Sequence, residues 1–565
     1  MNLGVLFPVE NLWSHSHSSV TSLTQLPHLS CKREPISSDY RMQMDFILCA
    51  AADHTMVKLD DQIAQDRKEL ERHPPGNIGR GQALFTLANS LKVRFLEIND
   101  IGNLEEAIGL HRIALALRSE GHPDRHKSLY WLAWCLVERY RKQGTLPDLE
   151  EAITLGRAAL DLRPEGHPNR FNSLHSLAVC FSGRYGKQGS VTDLEEAITL
   201  CRAVLKLRPP GHSKRAVTLN NLADNLRRRF LKLGATADLD EALSLHQSAL
   251  DLRPEGHPNR PDSLHSLVVC FSGRYGKQCS VADLEEAITF GRAALKLRPP
   301  GHSNRAPTLS NLGLDLRRRF LKFGAIVDID EAISLHRSAL DLRPEGHPHR
   351  SDSLHNLALC FSDWYDKQGS VAYLEEAIKL SRAALEFRPQ GHSDRATTLY
   401  HLAFDLKRRF LKFGAITDID EAISLHRSAL DLRPEGHPYR PDSLHNLALC
   451  FGERYDEQGS VAYLEEAIRF GRAALEFHPQ GHSGRATTLY HLAFDLRRRF
   501  LKLGASADLD EAISLHRSAL NLRLVGHSDR LVSLDQLASC LGLRFEKLEA
   551  STDKAAQLVF TYLFR

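Results

Sequence analysis

At 565 residues, 42% of them hydrophobic and 25% charged, the chain has enough apolar material for several cores or one elongated core, which excludes disorder as its general state. Lys and Arg number 73 against 70 Asp and Glu, a formal net charge of +3; this lacks the bulk basic excess of a dedicated nucleic-acid binder, so electrostatic specificity must come from local patterning. No stretch approaches the roughly 20 apolar residues of a membrane span, and the ten cysteines show no CxxC or dense spacing, so a reducing, cytoplasmic location without a membrane partner is expected.

The opening MNLGVLFPVENLW lacks a basic n-region and is interrupted by Pro8 and Glu10, which predicts no secretory signal. Residues 1–55, rich in Ser and His, are predicted to form a disordered leader. LDDQIAQDRKELERHPPG (59–76) aligns with LEEAIGLHRIALALRSEG (104–121) but places Gln62 and Glu69 where Ala107 and Ala114 stand. Residues 56–75 are therefore predicted to be a single polar helix, half a repeat, capping a stack.

From there a period of 45 sets in. Gly stands at 76, 121, 166, 211, 256, 301, 346, 391, 436, 481 and 526 without an insertion, and a period of 90 overlies it, EGHP alternating with PGHS or QGHS. Within one unit Leu264, Leu267, Val268 and Phe271 recur at helical spacing. A Gly-containing linker then leads to ADLEEAITFGRAALKLRPPG, where Asp283 is predicted as N-cap and Pro299 with Gly301 as the stop. Small residues Ala287 and Ala294 let this second helix approach the first. Neither helix can bury its face alone, so the hairpins must stack.

Leu264, Leu267, Val268, Phe271, Ala287, Ala294 and Pro299 resemble the tetratricopeptide-repeat consensus in order and mostly in spacing, over about residues 57–550. The resemblance implies an all-α superhelical solenoid of about ten helical hairpins across 76–550. Residues 551–565 are left as a degenerate closing helix or a truncation. The turns LRPPGHSNR and LRPEGHPNR also look like those of fungal arrays that precede a caspase-like CHAT protease domain; no such domain follows here, so the implied relation is at most a regulatory or sensor array for such an effector.

Arg stands four after each of these glycines, including Arg80, Arg125 and Arg530, whereas the His that follows Gly is replaced at Asn77. A cation is unfavourable at the start of its own helix, but that start lies beside the C-terminal ends of the second helices of its own and the preceding unit, whose last carbonyls lack partners. Arg170 and its equivalents are expected to staple those ends, each contributing on the order of 1 kcal/mol. His167 and its equivalents are expected to be turn residues.

Catalytic, cofactor and metal sites are expected to be absent. His175 and Cys180, His265 and Cys270, His355 and Cys360, and His445 and Cys450 are each separated by roughly 140° around a helix, too far for a local dyad or chelate. These cysteines are expected in the core. His246, His336, His426 and His516 are expected to pack there with hydrogen-bond partners. An active site needs a unique constellation, and this chain repeats its residues.

A recognition surface remains. Helix angles put Tyr400, Phe404, Lys407, Arg408 and Leu411 in a sector of about 100° away from the Leu399, Leu402, Ala403 and Leu406 core face, and Tyr490, Phe494, Arg497, Arg498 and Leu501 in the same sector of the next copy. The family resemblance makes that sector the ligand-binding groove. Asp315 is expected to pair with Arg319 and Asp405 with Arg409, leaving the other cations of each run outward. The expected function is a non-enzymatic scaffold binding an acidic, partly apolar protein segment through these residues together with Arg227, Arg228, Arg317 and Arg318. Single-stranded RNA, which stacking and Arg would also suit, is a third possibility.

Overall fold

The computed structural model describes residues 56–563 except 479–481, 483 and 525–526. The leader assigned to 1–55 lies outside the described residues, as do Cys31 and Cys49. Among the described residues the regular structure is entirely α-helical, twenty-two helices without a strand. They divide into two compact units, one of 56–275 with 280–298 and one of 276–279 with 299–563.

In the first unit α1 (Met56–Arg72), α2 (Arg80–Ile98), α3 (Ile101–Leu117), α4 (Arg125–Gln143), α5 (Leu146–Asp161), α6 (Arg170–Gln188), α7 (Val191–Leu207), α8 (Arg215–Leu233) and α9 (Thr236–Asp251) each pack on the next; α10 (Arg260–Gln278) and α11 (Val281–Lys296) follow. The second unit runs through α12 (Arg305–Phe323), α13 (Ile326–Asp341), α14 (Arg350–Gln368), α15 (Val371–Glu386), α16 (Arg395–Phe413), α17 (Ile416–Asp431), α18 (Arg440–Gln458), α19 (Val461–Phe477), α20 (Arg485–Leu503), α21 (Ser506–Leu522) and α22 (Arg530–Leu563). Here each helix packs on the next, and successive first helices α12, α14, α16, α18, α20 and α22 also touch one another directly. Second helices are bridged by long side chains, as from Arg382 to Glu421 at 2.8 Å. In this unit the first helices thus approach one another more closely than the second helices do.

The core follows the expected pattern. Leu444, Leu447, Ala448, Cys450 and Phe451 of α18 bury against Ala467, Phe470 and Ala474 of α19, with the Phe451 and Phe470 rings stacked at 5.6 Å. Alanine at 467 and 474 removes the bulk that would hold the helices apart. Nineteen residues after each turn Arg from Arg80 to Arg485 the backbone enters the left-handed region, as at Gly414 (φ 69°), whose N–H reaches the Phe410 carbonyl at 2.7 Å. Gly is favoured because it carries no Cβ to clash there.

The N-cap expectation needs correction. The helix after the linker starts at Val281 with Ser280 as N-cap. Asp283 lies inside its first turn, where its carboxylate takes both Arg274 Nε (2.9 Å) and Nη2 (2.6 Å) from α10. A bidentate guanidinium outcompetes the two N–H groups a cap would satisfy. Arg319 with Asp328, Arg409 with Asp418 and Arg499 with Asp508 repeat this fork.

Candidate interaction face of the first helices

The Pro-Gly-His turn is held by three side chains. Arg350 Nη1 donates to the Arg343 carbonyl, 2.6 Å away just beyond the end of α13. The same bond recurs along the chain from Arg80 to Arg530, and at several turns the Arg also reaches the carbonyl ten residues back, as Arg440 does to Leu430. These bonds go to the second helix of the preceding hairpin rather than to two helices. His347 Nδ1 accepts from the backbone N–H of His349 at 3.1 Å. Where His is missing, Asn77 Oδ1 performs the same task for Gly79 at 2.8 Å, so the turn needs an acceptor there and not an imidazole.

The third side chain is one that sequence patterning did not single out: the Arg three residues before the Gly. Arg343 is buried, with Nη1 donating to Ser353 Oγ (2.7 Å) and the His349 carbonyl (3.3 Å). Arg433 does the same with Ser443 and the Tyr439 carbonyl, and Arg388 also holds Asp352 at 2.7 Å. Burial lowers the pKa of Arg343 and Arg433, and the guanidinium of Arg433 lies 5.2 Å from the Tyr400 ring centroid. Its signal in the sequence is the Ser or Thr that stands three after the turn Arg in unit after unit, Ser353, Thr398 and Ser443 among them.

The proposed ligand sector is largely interior, contrary to expectation. Tyr400 is 2% exposed, and Phe404, Lys407, Arg408, Tyr490, Arg227 and Arg317 are also buried. Leu411, Phe494, Arg497, Arg498, Arg228 and Arg318 are half-buried, and Leu501 is 57% exposed. The physical reason is the close approach of successive first helices, which turns that sector into a seam. Arg317 Nε reaches Asp363 at 2.5 Å. Arg408 donates to Ser362 Oγ at 2.8 Å, pairs with Asp366 and lies 4.2 Å from the Phe404 ring centroid. Arg228 donates to Ser182 Oγ at 2.8 Å, Arg497 to Ser539 Oγ at 2.9 Å, and Arg498 pairs with Asp456 at 2.5 Å. Tyr400 Oη accepts from Asn446 Nδ2 at 2.8 Å.

The expected local pairs also shift register. Asp315 holds Arg318 at 2.8 Å and Asp405 lies 3.4 Å from Arg408, because Arg319 and Arg409 are drawn to Asp328 and Asp418 across the hairpin. Burial pushes the Asp405 carboxyl up to about 7 against the opposing pull of Arg408 and Ser362. Burial likewise takes Asp495 to about 7 against Arg498.

The second-helix histidines are interior, as expected, but of the four only His246 has the expected hydrogen-bond partner; neither ring nitrogen of His336, His426 or His516 has one. His246, His336 and His426 are completely buried, and burial, reinforced by nearby cations, lowers each to about 3. His246 Nδ1 lies 3.0 Å from Asn220 Oδ1; His426 and His516 pack edge-on against Tyr400 and Tyr490. Cys180, Cys270, Cys360 and Cys450 are buried, as expected.

The unit from Arg215 through α8, α9 and the turn to Asn259 is matched by the family model described as tetratricopeptide repeat, residues 215–259. The hairpins on either side reproduce its helix lengths, turn Arg and core positions. One unit of the array, residues 215–259, thus matches the tetratricopeptide repeat. No curated protein matches it. Among solved structures, a human IFIT1 dimer with m7Gppp-AAAA matches with TM-score 0.42 at 14% identity, covering 93% of this chain and 99% of that one. A Podosopora anserina putative kinesin light chain with nearly identical TPR-like repeats matches with TM-score 0.28 at 19% identity, covering 39% and 98%. BtubC (BKLC) from P. vanneervenii matches with TM-score 0.30 at 20% identity, covering 44% and 95%. In the second unit the first-helix seam leaves Leu411, Phe494, Arg497 and Arg498, with Arg318, half-buried and Leu501 exposed. Among the described residues no cluster of three or more His, Cys, Asp or Glu is placed to hold a metal ion, and no helix is long and apolar enough to cross a membrane.

Proposed function

We propose that this chain is a non-enzymatic scaffold whose inner, first-helix face receives an acidic, partly apolar segment of another protein. The observation that carries this reading is the accessible remainder of the sector on α16 and α20. Arg498 lies 4.1 Å from the Phe494 ring centroid, with Arg497 beside it and Leu411 and Leu501 one turn on. A guanidinium already held against an aromatic ring loses little freedom when a ligand carboxylate joins it, and the flanking leucines supply apolar area. The buried members Tyr400, Phe404, Lys407, Arg408, Tyr490, Arg227 and Arg317 support the face from beneath rather than touch the ligand.

The test uses two fluorescent peptides of equal length, one of mixed Leu and Glu and one of mixed Leu and Lys, measured by anisotropy. Wild type should prefer the acidic peptide, and an Arg497→Glu, Arg498→Glu variant should lose that preference while keeping its helix content. Equal binding of the acidic peptide by both proteins would defeat the proposal. Displacement of the peptide by a mixed-sequence oligonucleotide, with steep salt dependence, would favour a nucleic-acid ligand instead.

A further inference from the structure

The helix α22 is a first helix that does not stop where the others do. In the other first helices a left-handed residue nineteen positions after the turn Arg ends the helix, as at Gly369, Gly414, Gly459 and Gly504. The corresponding position after Arg530 is Glu549, a residue that resists that backbone conformation, and α22 runs on to Leu563 without folding back. Among the described residues nothing covers its hairpin-facing side. Leu444 and its neighbours Ala448 and Phe451 on α18 are each 4% exposed beneath α19; on α22 the equivalent Leu534 is 41% exposed, Ala538 is exposed and Leu541 is half-buried. Leu531 and Phe545, at 76% and 61%, extend the same line.

Residues 531, 534, 538, 541 and 545 alternate in steps of three and four, the spacing of a helix-pairing stripe. The stripe contains no charge. It is also complementary to itself in antiparallel sense. With the two-fold axis between Ser539 and Cys540, Leu534 meets Phe545 and small Ala538 meets large Leu541, twice over. The polar helix α1 offers no comparable surface, since Asp61, Gln62, Gln65 and Glu69 are exposed there; a head-to-tail contact would set these groups against leucine and leave them desolvated. We infer that α22 is the dimerisation element of this protein, covered in solution by α22 of a second copy in a closed, antiparallel two-fold contact. Such an isologous contact satisfies both exposed stripes at once and cannot propagate into a filament.

Light scattering coupled to size exclusion, on the full chain at micromolar concentration, should give a dimer. Leu534→Glu with Phe545→Glu should give a monomer of unchanged helix content, because both side chains face solvent in the single chain. Leu503→Glu, equally exposed but off the stripe, should remain dimeric. A second measurement does not depend on the charged variant folding: Ala538→Cys with Leu541→Cys, treated with diamide, should form a disulfide-linked dimer on a denaturing gel. A monomeric wild type, a dimer that persists in the Leu534→Glu, Phe545→Glu variant, or absence of the cross-link would each overturn the inference.

Discussion

The guanidinium of Arg350 and the backbone carbonyl of Arg343 lie 2.6 Å apart, and the side chain of that same Arg343 turns inward to Ser353 on the helix that Arg350 begins. Two arginines seven residues apart thus tie the end of one hairpin to the start of the next, one by its side chain and the other by both side chain and backbone.

Their contributions differ because their burial differs. Replacing Arg350 with Ala removes a charge-assisted bond that is partly open to water, so the denaturation midpoint should fall by the equivalent of about 1 kcal/mol. Arg343→Ala leaves Ser353 and the His349 carbonyl without their partner around a cavity, and should cost about 3 kcal/mol. Urea titrations followed by circular dichroism would rank the two; a larger loss from Arg350→Ala would reverse the assignment of roles.

The fork between α12 and α13 gives a smaller effect. Asp328→Asn keeps the shape of the side chain but removes the charge that Arg319 grips through two nitrogens at 2.8 Å. A loss of about 1 kcal/mol is expected, reduced in high salt because Arg319 is partly solvated. Thermal melts at low and high salt would read it.

Two sets of buried groups push pH dependence in opposite directions. Asp405 and Asp495, raised to about 7, bind a proton in the folded state that the unfolded chain has already released above about pH 4; their contribution is present at low pH and lost as pH rises towards 7. His246, His336 and His426, lowered to about 3, do the reverse. Their contribution is present above about pH 6.5 and lost as pH falls towards 3. Asp405→Asn should therefore gain stability relative to wild type as pH is raised from 5 to 7, and His336→Gln should gain relative to wild type as pH is lowered from 6.5 to 4. Each slope is limited to about 1.4 kcal/mol per pH unit. Parallel slopes for wild type and variant would mean that the group does not titrate across that range.

Much of the architecture is legible in the sequence. The 45-residue spacing of Gly and Arg, the apolar steps Leu264, Leu267, Val268 and Phe271, and the alanines at 287 and 294 are local properties. They determine hairpins, because helix periodicity, turn chemistry and the space needed for close packing are all written within about 45 consecutive residues. The staple role of Arg350 was legible for the same reason: its acceptor lies only seven residues away.

What the sequence could not decide is which first-helix side chains meet solvent. Lys407 and Arg408 have the polarity of surface residues and sit off the hairpin core face, yet Arg408 ends between Phe404, Ser362 and Asp366, with partners 42 and 46 residues away. The same long range hid the exposure of Leu534 where Leu444 is covered, whereas Arg319 and Asp328, only nine residues apart, meet because the hairpin closes between them. Helix angles fix the direction of a side chain from its own axis; only the stacking distance between hairpins decides whether that direction holds water, a carboxylate or a neighbouring helix.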